Sequence, residues 1–225
     1  MPTTVSDPTS IHGARRERRK DARPGELLDA ALDLFVEKGF AATRSEEVAA
    51  RAGVSKGTLF LYFPSKEDLF KAVVRENIVG RVQEGLSEVA GWQGSTPDLL
   101  RFVLQEWWVR YGATKASGIS KLVMSEASNF PELAHFYHQE VVQPGLELIR
   151  GVLQRGIDRG EFRDVDLQHA VYAVLAPMIF LLMWKHSMAP CCDASQAIDP
   201  TVFIAQHNRV PPAGWDGVIP LTSKT

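Results

Sequence analysis

The stretch AGVSKGTLFLYFPSKEDLF, Ala52 to Phe70, decides how this chain is read. It opens on a glycine turn, runs Leu59, Phe60, Leu61, Tyr62 and Phe63 together, breaks at Pro64 and restarts at Ser65-Lys66. Pro64 cannot continue a helix, and Ser55 and Ser65 are good N-caps. A short helix is therefore expected from Ser55 to Phe63, and a new one opening at Ser65 with Asp68 in its first turn. Upstream, a helix beginning at Thr43, with Glu46 at capping-box spacing, should stop at Gly53. The linking residues Gly53-Val54-Ser55 have the length of a helix-turn-helix corner and a glycine able to take positive φ. Val48, Ala49, Ala52, Val54, Leu59 and Tyr62 fall where they would fill a core shared with the preceding helix.

Working outward, Leu27, Leu28, Ala31, Leu34 and Phe35 recur at three- and four-residue steps between Pro24 and Gly39, which predicts a helix over 25–38. The helix opened at Ser65 should run to about Val89. Past Gly91, Gly94, Ser95 and Pro97 the pattern stays helical: 97–113, 117–128, 131–159 interrupted at Pro144-Gly145, and 166–188 kinked at Pro177. A short helix fits 200–207, and no alternation argues for strands. The chain reads as all-α, divided into a disordered basic arm (1–23), a three-helix unit containing the helix-turn-helix corner (24–71), a larger helical domain (72–208) and an irregular tail (209–225).

Charge supports that division. The net charge of −2 conceals a segment, His12 to Arg23, in which Arg15, Arg16, Arg18, Arg19, Lys20 and Arg23 face only Glu17 and Asp21. This is the one stretch that looks built for a polyanion. Three successive helix starts pair a hydroxyl with a cation: Thr43-Arg44, Ser55-Lys56 and Ser65-Lys66. A cation at a helix N-terminus is disfavoured by about 0.3–1 kcal/mol, so the repetition points to anions at those ends, and DNA phosphates suit them. Lys56, Gly57, Thr58 and Leu61 would then face the major groove, with Leu61 available to a thymine methyl, while the basic arm lies along phosphates or the minor groove.

Other classes find little support. The first ten residues are polar, with no secretory signal, and the longest apolar run, Ala170 to Trp184, is shorter than a bilayer span and holds Pro177. Cys191 and Cys192 are adjacent and offer no spaced framework, so a cytoplasmic protein without a cofactor is expected. No nucleophile, zincin or phosphate-loop motif argues for an enzyme. His135 and His138 with Glu132 have a spacing that would suit a metal but lack further ligands in register.

LLDAALDLFVEKGF, EEVAARAGVSKGTLFLYF and PSKEDLF together resemble the DNA-binding domain of the TetR (tetracycline-repressor) family of bacterial regulators, over about a fifth of the chain. SEASNFPELAHFYHQEVVQPGLELI resembles, less specifically, one subgroup of that family's C-terminal domains. The resemblance implies a homodimer on a palindromic operator, most often as a repressor, with a small-molecule inducer held in the C-terminal domain. By position it places phosphate contacts on Arg44, Tyr62 and Lys66 and groove contacts on Lys56, Gly57 and Thr58. The chain departs from the family where Phe60 replaces a frequent tyrosine, at Arg44-Ser45, and in the tail from Arg209, which does not continue a final amphipathic helix.

For the inducer, the candidates are Trp107, Trp108, Tyr111, Met124, Phe130, Phe136, Tyr137 and Met178, an aromatic- and methionine-rich set suited to a sizeable hydrophobic molecule. The last long helix is apolar nearly all round, so it needs cover on two sides; Val171, Leu175, Leu182 and Trp184 are the expected dimer contacts. The alternative is a DNA-binding regulator without an inducer, governed by a protein partner or by its own abundance.

Overall fold

The computed structural model describes residues 9–207, with side chains from Pro24 onward except that of Ala194. Among these residues every regular element is helical. The expected tail 209–225 lies outside the described residues. The chain divides into two compact units, one ending at Val73 and the other starting at Val74.

The first unit holds α1 (Thr9–Lys38), α2 (Ser45–Arg51), α3 (Lys56–Tyr62) and α4 (Lys66–Val74). Helix α1 starts well before the expected Pro24, so from Thr9 onward the backbone of the supposed disordered arm is helical. Arg, Lys, Glu and Ala dominate residues 14–23 and are all good helix formers, which hydrophobic periodicity alone does not register. Gly39, with φ 85°, ends the helix after Lys38. Inside the unit, Leu27, Ala31, Leu34, Phe35, Phe40, Val48, Leu59, Leu69, Phe70 and Val73 are fully enclosed. Phe35, Phe40 and Phe70 meet with ring centroids 5.4–5.7 Å apart, one pair stacked and two edge-on. Such pairs add about 0.5–1.5 kcal/mol each beyond burial, which matters in so small a core.

The second unit comprises α5 (Gly80–Gly91), α6 (Thr96–Trp107), α7 (Gly118–Glu126), α8 (Pro131–Tyr137), α9 (Gln143–Asp158), α10 (Leu167–Met183) and α11 (Pro200–His207). Wide π-helical turns stand at Arg75–Val79, Trp108–Gly112, His138–Val142 and Trp184–Met188. One of them replaces the interruption expected at Pro144-Gly145: α8 passes through His138–Val142 directly into α9, and the wide turn stands just before Pro144, which has no N–H to donate to the preceding turn. Arg75 joins two of these turns through a bidentate pair with Glu140 (2.5 and 3.0 Å), and its guanidinium lies over Phe136. Helix α10 packs on α9, α7 and α11, and buries Ala170, Val171, Val174, Met178, Leu181 and Leu182. With its π and 3-10 extensions the helical run Leu167–Cys191 is long and apolar enough, by length and composition, to cross a membrane, longer than the expected 15-residue run. Here one stripe of it packs within the unit while Tyr172 and Phe180 on its other side are exposed.

Candidate nucleic-acid interface

The corner between α2 and α3 is made by backbone geometry. Gly53 takes φ 67°, and the amides of Gly53 and Val54 donate to the carbonyls of Ala50 (3.1 Å) and Ala49 (2.9 Å), closing α2 in a Schellman arrangement. Ser55 then caps α3, its Oγ accepting from the Thr58 amide at 3.1 Å and lying 2.9 Å from the Thr58 hydroxyl. Ser65 does the same for α4 through the Asp68 amide (3.0 Å), and its hydroxyl donates to the Asp68 carboxylate (2.6 Å). Helix α3 thus leaves its corner at a fixed angle, with Leu59 fully buried beneath it.

On its outer face stand Lys56, Gly57, Phe60 and Leu61, with Thr58 and Tyr62 half-buried at the edges. Leu61 is 84% exposed. At Gly57 an added Cβ would meet only Ser55 Oγ, at 3.8 Å, so among the described residues nothing else covers that backbone. An exposed apolar residue beside a bare glycine and a cation, on a short helix held by its corner, is suited to base edges and methyl groups in a major groove.

The two lysines expected to clamp phosphates differ. Lys56 is exposed and pairs with Glu46 of α2 at 2.5 Å, and hydrogen bonding to that ammonium holds the Glu46 carboxyl below its ordinary range. Lys66 is turned inward: its ammonium donates to the carbonyls of Phe40 (2.8 Å) and Thr43 (3.1 Å) and lies 4.3 Å from the Phe40 ring centre. A cation at the start of α4 is therefore offset by carbonyls of the α1–α2 connection, and in this structure Lys66 ties the unit together. Thr43 also departs from expectation. It is buried, its hydroxyl lies 2.7 Å from the Gly39 carbonyl and 3.1 Å from that of Leu34, and Arg44 is the N-cap of α2. The reciprocal contact comes from Glu47, one residue beyond the expected Glu46, which accepts from the Arg44 amide at 3.3 Å. Arg44 is exposed. Arg15, Arg16, Arg18, Arg19 and Lys20 fall on α1, and their side chains lie outside the described residues.

In the second unit, Trp108, Tyr111, Phe136, Tyr137 and Met178 are buried, Trp107 and Phe130 are half-buried, and Trp107 meets Tyr111 edge-on at 5.6 Å. Met124 is 57% exposed, on the outer side of α7, and does not join this interior. Of the expected dimer contacts, Val171 and Leu182 have no exposed surface: they belong to the stripe of α10 turned towards its own unit and offer nothing to a second copy. Leu175 and Trp184 are half-buried, and Tyr172 (57% exposed) and Phe180 (46%) form the outward side.

Two polar clusters escaped the sequence reading. The Ser120 hydroxyl lies 2.5 Å from that of Tyr111 and 2.8 Å from that of Tyr137, and burial pushes both phenols up. One helical turn away, Ser117 Oγ lies 3.0 Å from the Gly112 carbonyl, 2.8 Å from that of Thr114 and 2.7 Å from His186 Nε2. Lys185 donates to the same two carbonyls, at 2.7 and 2.8 Å. Burial lowers Lys185, and burial with the charges of Lys185 and Lys121 lowers His186 to about 4. The signal was two serines three residues apart in an otherwise buried segment, and a Lys-His pair closing an apolar run. His135 and His138 are exposed, and among the described residues no group of three or more His, Cys, Asp or Glu is gathered where a metal could be held.

A helical corner carrying an exposed reading helix, followed by a larger helical unit, defines a helix-turn-helix DNA-binding regulator. The chain belongs to the tetR family of bacterial regulatory proteins: residues 27–73 match the family's regulatory-protein domain and residues 93–199 its tetracyclin repressor-like C-terminal domain. It is 25% identical over 174 residues to the uncharacterized HTH-type transcriptional regulator YdeS of Bacillus subtilis, covering 77% of this chain and 84% of that one. It is 27% identical over 150 residues to the fatty acid metabolism regulator protein of the same organism, covering 64% and 74%. Among solved structures it resembles the transcriptional regulator FadR of Bacillus subtilis in complex with stearoyl-CoA, with TM-score 0.67 and 21% identity over 82% of this chain and 95% of that one, a likeness of fold.

Proposed function

We propose that this protein is a cytoplasmic homodimeric repressor that leaves a palindromic operator when a hydrophobic, acyl-bearing small molecule binds its C-terminal unit. The observation that carries the DNA half is the outer face of α3, where Leu61, Gly57 and Lys56 stand uncovered above a buried Leu59. Arg44, Ser55, Thr58 and Tyr62 flank that face and would hold backbone phosphates, while Lys66 serves by fixing the α1–α2 connection. The dimer reading is supported by α10 and α11: Tyr172, Phe180 and Val202 are large, apolar and exposed, and α10 carries no Asp, Glu, Lys or Arg between Leu167 and Met183. The acyl ligand is drawn from the stearoyl-CoA of the structural neighbour and the fatty acid regulator among the relatives, and from the aromatic interior around Trp107, Trp108, Phe136 and Met178. Such a ligand acts only through its preference for the state that does not bind DNA.

The test is footprinting on DNA from upstream of the protein's own gene, at several salt concentrations, with and without long-chain acyl-CoA. A protected palindrome with a steep salt slope, released by acyl-CoA, is expected. Shallow, sequence-indifferent binding refutes the operator reading, and protection unchanged by acyl-CoA refutes the ligand.

A further inference from the structure

We propose that Arg75 and Glu140 are positioning residues for operator binding: their ion pair holds the helical run that begins with α4 in the arrangement that binds DNA. The inference rests on the repressor reading above. The backbone is helical at Val74 and at Gly80, so α4, the π-turn Arg75–Val79 and α5 make one unbroken helical run from Lys66 to Gly91. The boundary between the two compact units falls inside this run, after Val73, and Arg75 is the first charged side chain beyond it. Its Nε and Nη2 donate to the two carboxylate oxygens of Glu140, at 3.0 and 2.5 Å, and its guanidinium lies 5.1 Å from the centre of the Phe136 ring. Glu140 stands in the π-turn that joins α8 to α9, and Phe136 in the last turn of α8 beside Tyr137. Any change at that end of α8 therefore meets the continuation of α4 through one planar, directional contact.

The pair differs from Asp98–Arg101 and Glu147–Arg150, which join neighbours on one helix. It spans 65 residues and has a π-turn at each end, a local widening of the helix that is frequent at functional sites. Both side chains are partly exposed, so the pair contributes little against unfolding. A contribution too small to matter for unfolding is still large enough to choose between two arrangements of one helical run. Without the pair, operator affinity falls in proportion to the fraction of protein left in the binding arrangement. Charge gives this effect a recognisable sign. Glu140→Gln removes a carboxylate and makes the protein more cationic, which by long-range attraction alone would tighten binding to DNA. The positioning role requires the reverse.

The experiment titrates the full chain, with no acyl-CoA added, against an operator selected from randomised duplexes, over a salt series. Glu140→Gln is expected to weaken binding about fivefold with an unchanged salt slope, because the number of phosphates contacted stays the same. Arg75→Lys keeps the charge but loses the two-pronged contact, and should weaken binding by a similar factor. In Arg75→Gln/Glu140→Gln the loss should be no larger than in Arg75→Gln alone, since the two residues act as one. Urea midpoints should stay nearly constant across the series. Unchanged or tighter binding by Glu140→Gln overturns the proposal. So does a shallower salt slope in Arg75→Gln, which would make Arg75 a phosphate contact. A fall in urea midpoint that tracks the loss of affinity overturns it too, because the pair would then be a staple of the fold. Failure of the wild-type chain to select any duplex is a different result: it removes the DNA-binding reading itself, and this proposal with it.

Discussion

Leu61 on α3 is 84% exposed and Tyr172 on α10 is 57% exposed, yet their surroundings give the two residues different meanings. Helix α3 has seven residues, buries Leu59, and surrounds Leu61 with a lysine, a bare glycine and half-buried hydroxyls. Helix α10 has seventeen residues, buries one full stripe, and presents Tyr172 and Phe180 with no cation among them. An exposed apolar side chain therefore says little until the charge around it is read. Beside cations on a short, rigidly turned helix it fits a nucleic acid groove; on a long apolar face it fits another protein surface.

The largest effect should come from the α10 side. Tyr172→Asp would place a carboxylate in the proposed dimer face, and an unpaired buried charge there should weaken association at least 100-fold, roughly 2.7 kcal/mol, by sedimentation equilibrium. Phe180→Asp is the less clean variant, because Phe180 also stacks on Phe203 at 5.9 Å and approaches Trp184 at 6.1 Å. An unchanged dimer in Tyr172→Asp would remove this face from the interface and leave its exposure without the meaning assigned above.

Sequence reading succeeds where the deciding contacts are local. Gly53 and Ser55 act on residues within one turn, and both were legible as turn and cap. The reading fails where partners are distant. Thr43 bonds to a carbonyl nine residues back, and Lys66 to one 26 residues back, so neither could be separated from an ordinary cap or a free surface cation. On α10 the difficulty is of another kind. With apolar residues on every side, periodicity cannot choose which stripe turns inward; Val171 and Leu182 were read outward and are enclosed, whereas Tyr172 and Phe180 face out. The Tyr111–Ser120–Tyr137 hydroxyls joined only because a π-turn and two further helices brought them together.

A smaller effect separates Lys66 from Leu61. Lys66→Ala removes the donor from the Phe40 and Thr43 carbonyls and should cost about 1.5–3 kcal/mol of stability, read by urea unfolding. Leu61→Ala removes no buried contact, should leave stability within about 0.5 kcal/mol, and should weaken operator binding. If Lys66→Ala kept full stability and lost only DNA affinity, the ammonium would belong to the phosphate surface after all. The division between holding residues and reading residues within this unit would then have to be redrawn.

The smallest effect probes the second unit alone. His186 is lowered to about 4, mainly by burial and then by the charges of Lys185 and Lys121, against an ordinary 6.5. In the window between those values the unfolded chain binds a proton that the folded chain refuses, so stability is intact above about pH 6.5 and is lost as pH falls towards 4. The ring is only partly enclosed, so solvent screening leaves about 1 kcal/mol of this dependence. The lowered carboxylates Glu46, Glu47, Asp98, Glu161 and Asp166 contribute in the same direction, chiefly near and below their ordinary 3.8 to 4.5, so most of the dependence above about pH 5 belongs to His186. Urea midpoints between pH 7 and 4.8 should therefore fall in the wild-type protein and stay flatter in His186→Asn, which can keep a hydrogen bond to Ser117 without titrating. An equal slope in both proteins would mean that the ring gains its proton while folded, and that the Lys185–Ser117–His186 cluster is open to water in a way the α3 corner, on its exposed face, already is.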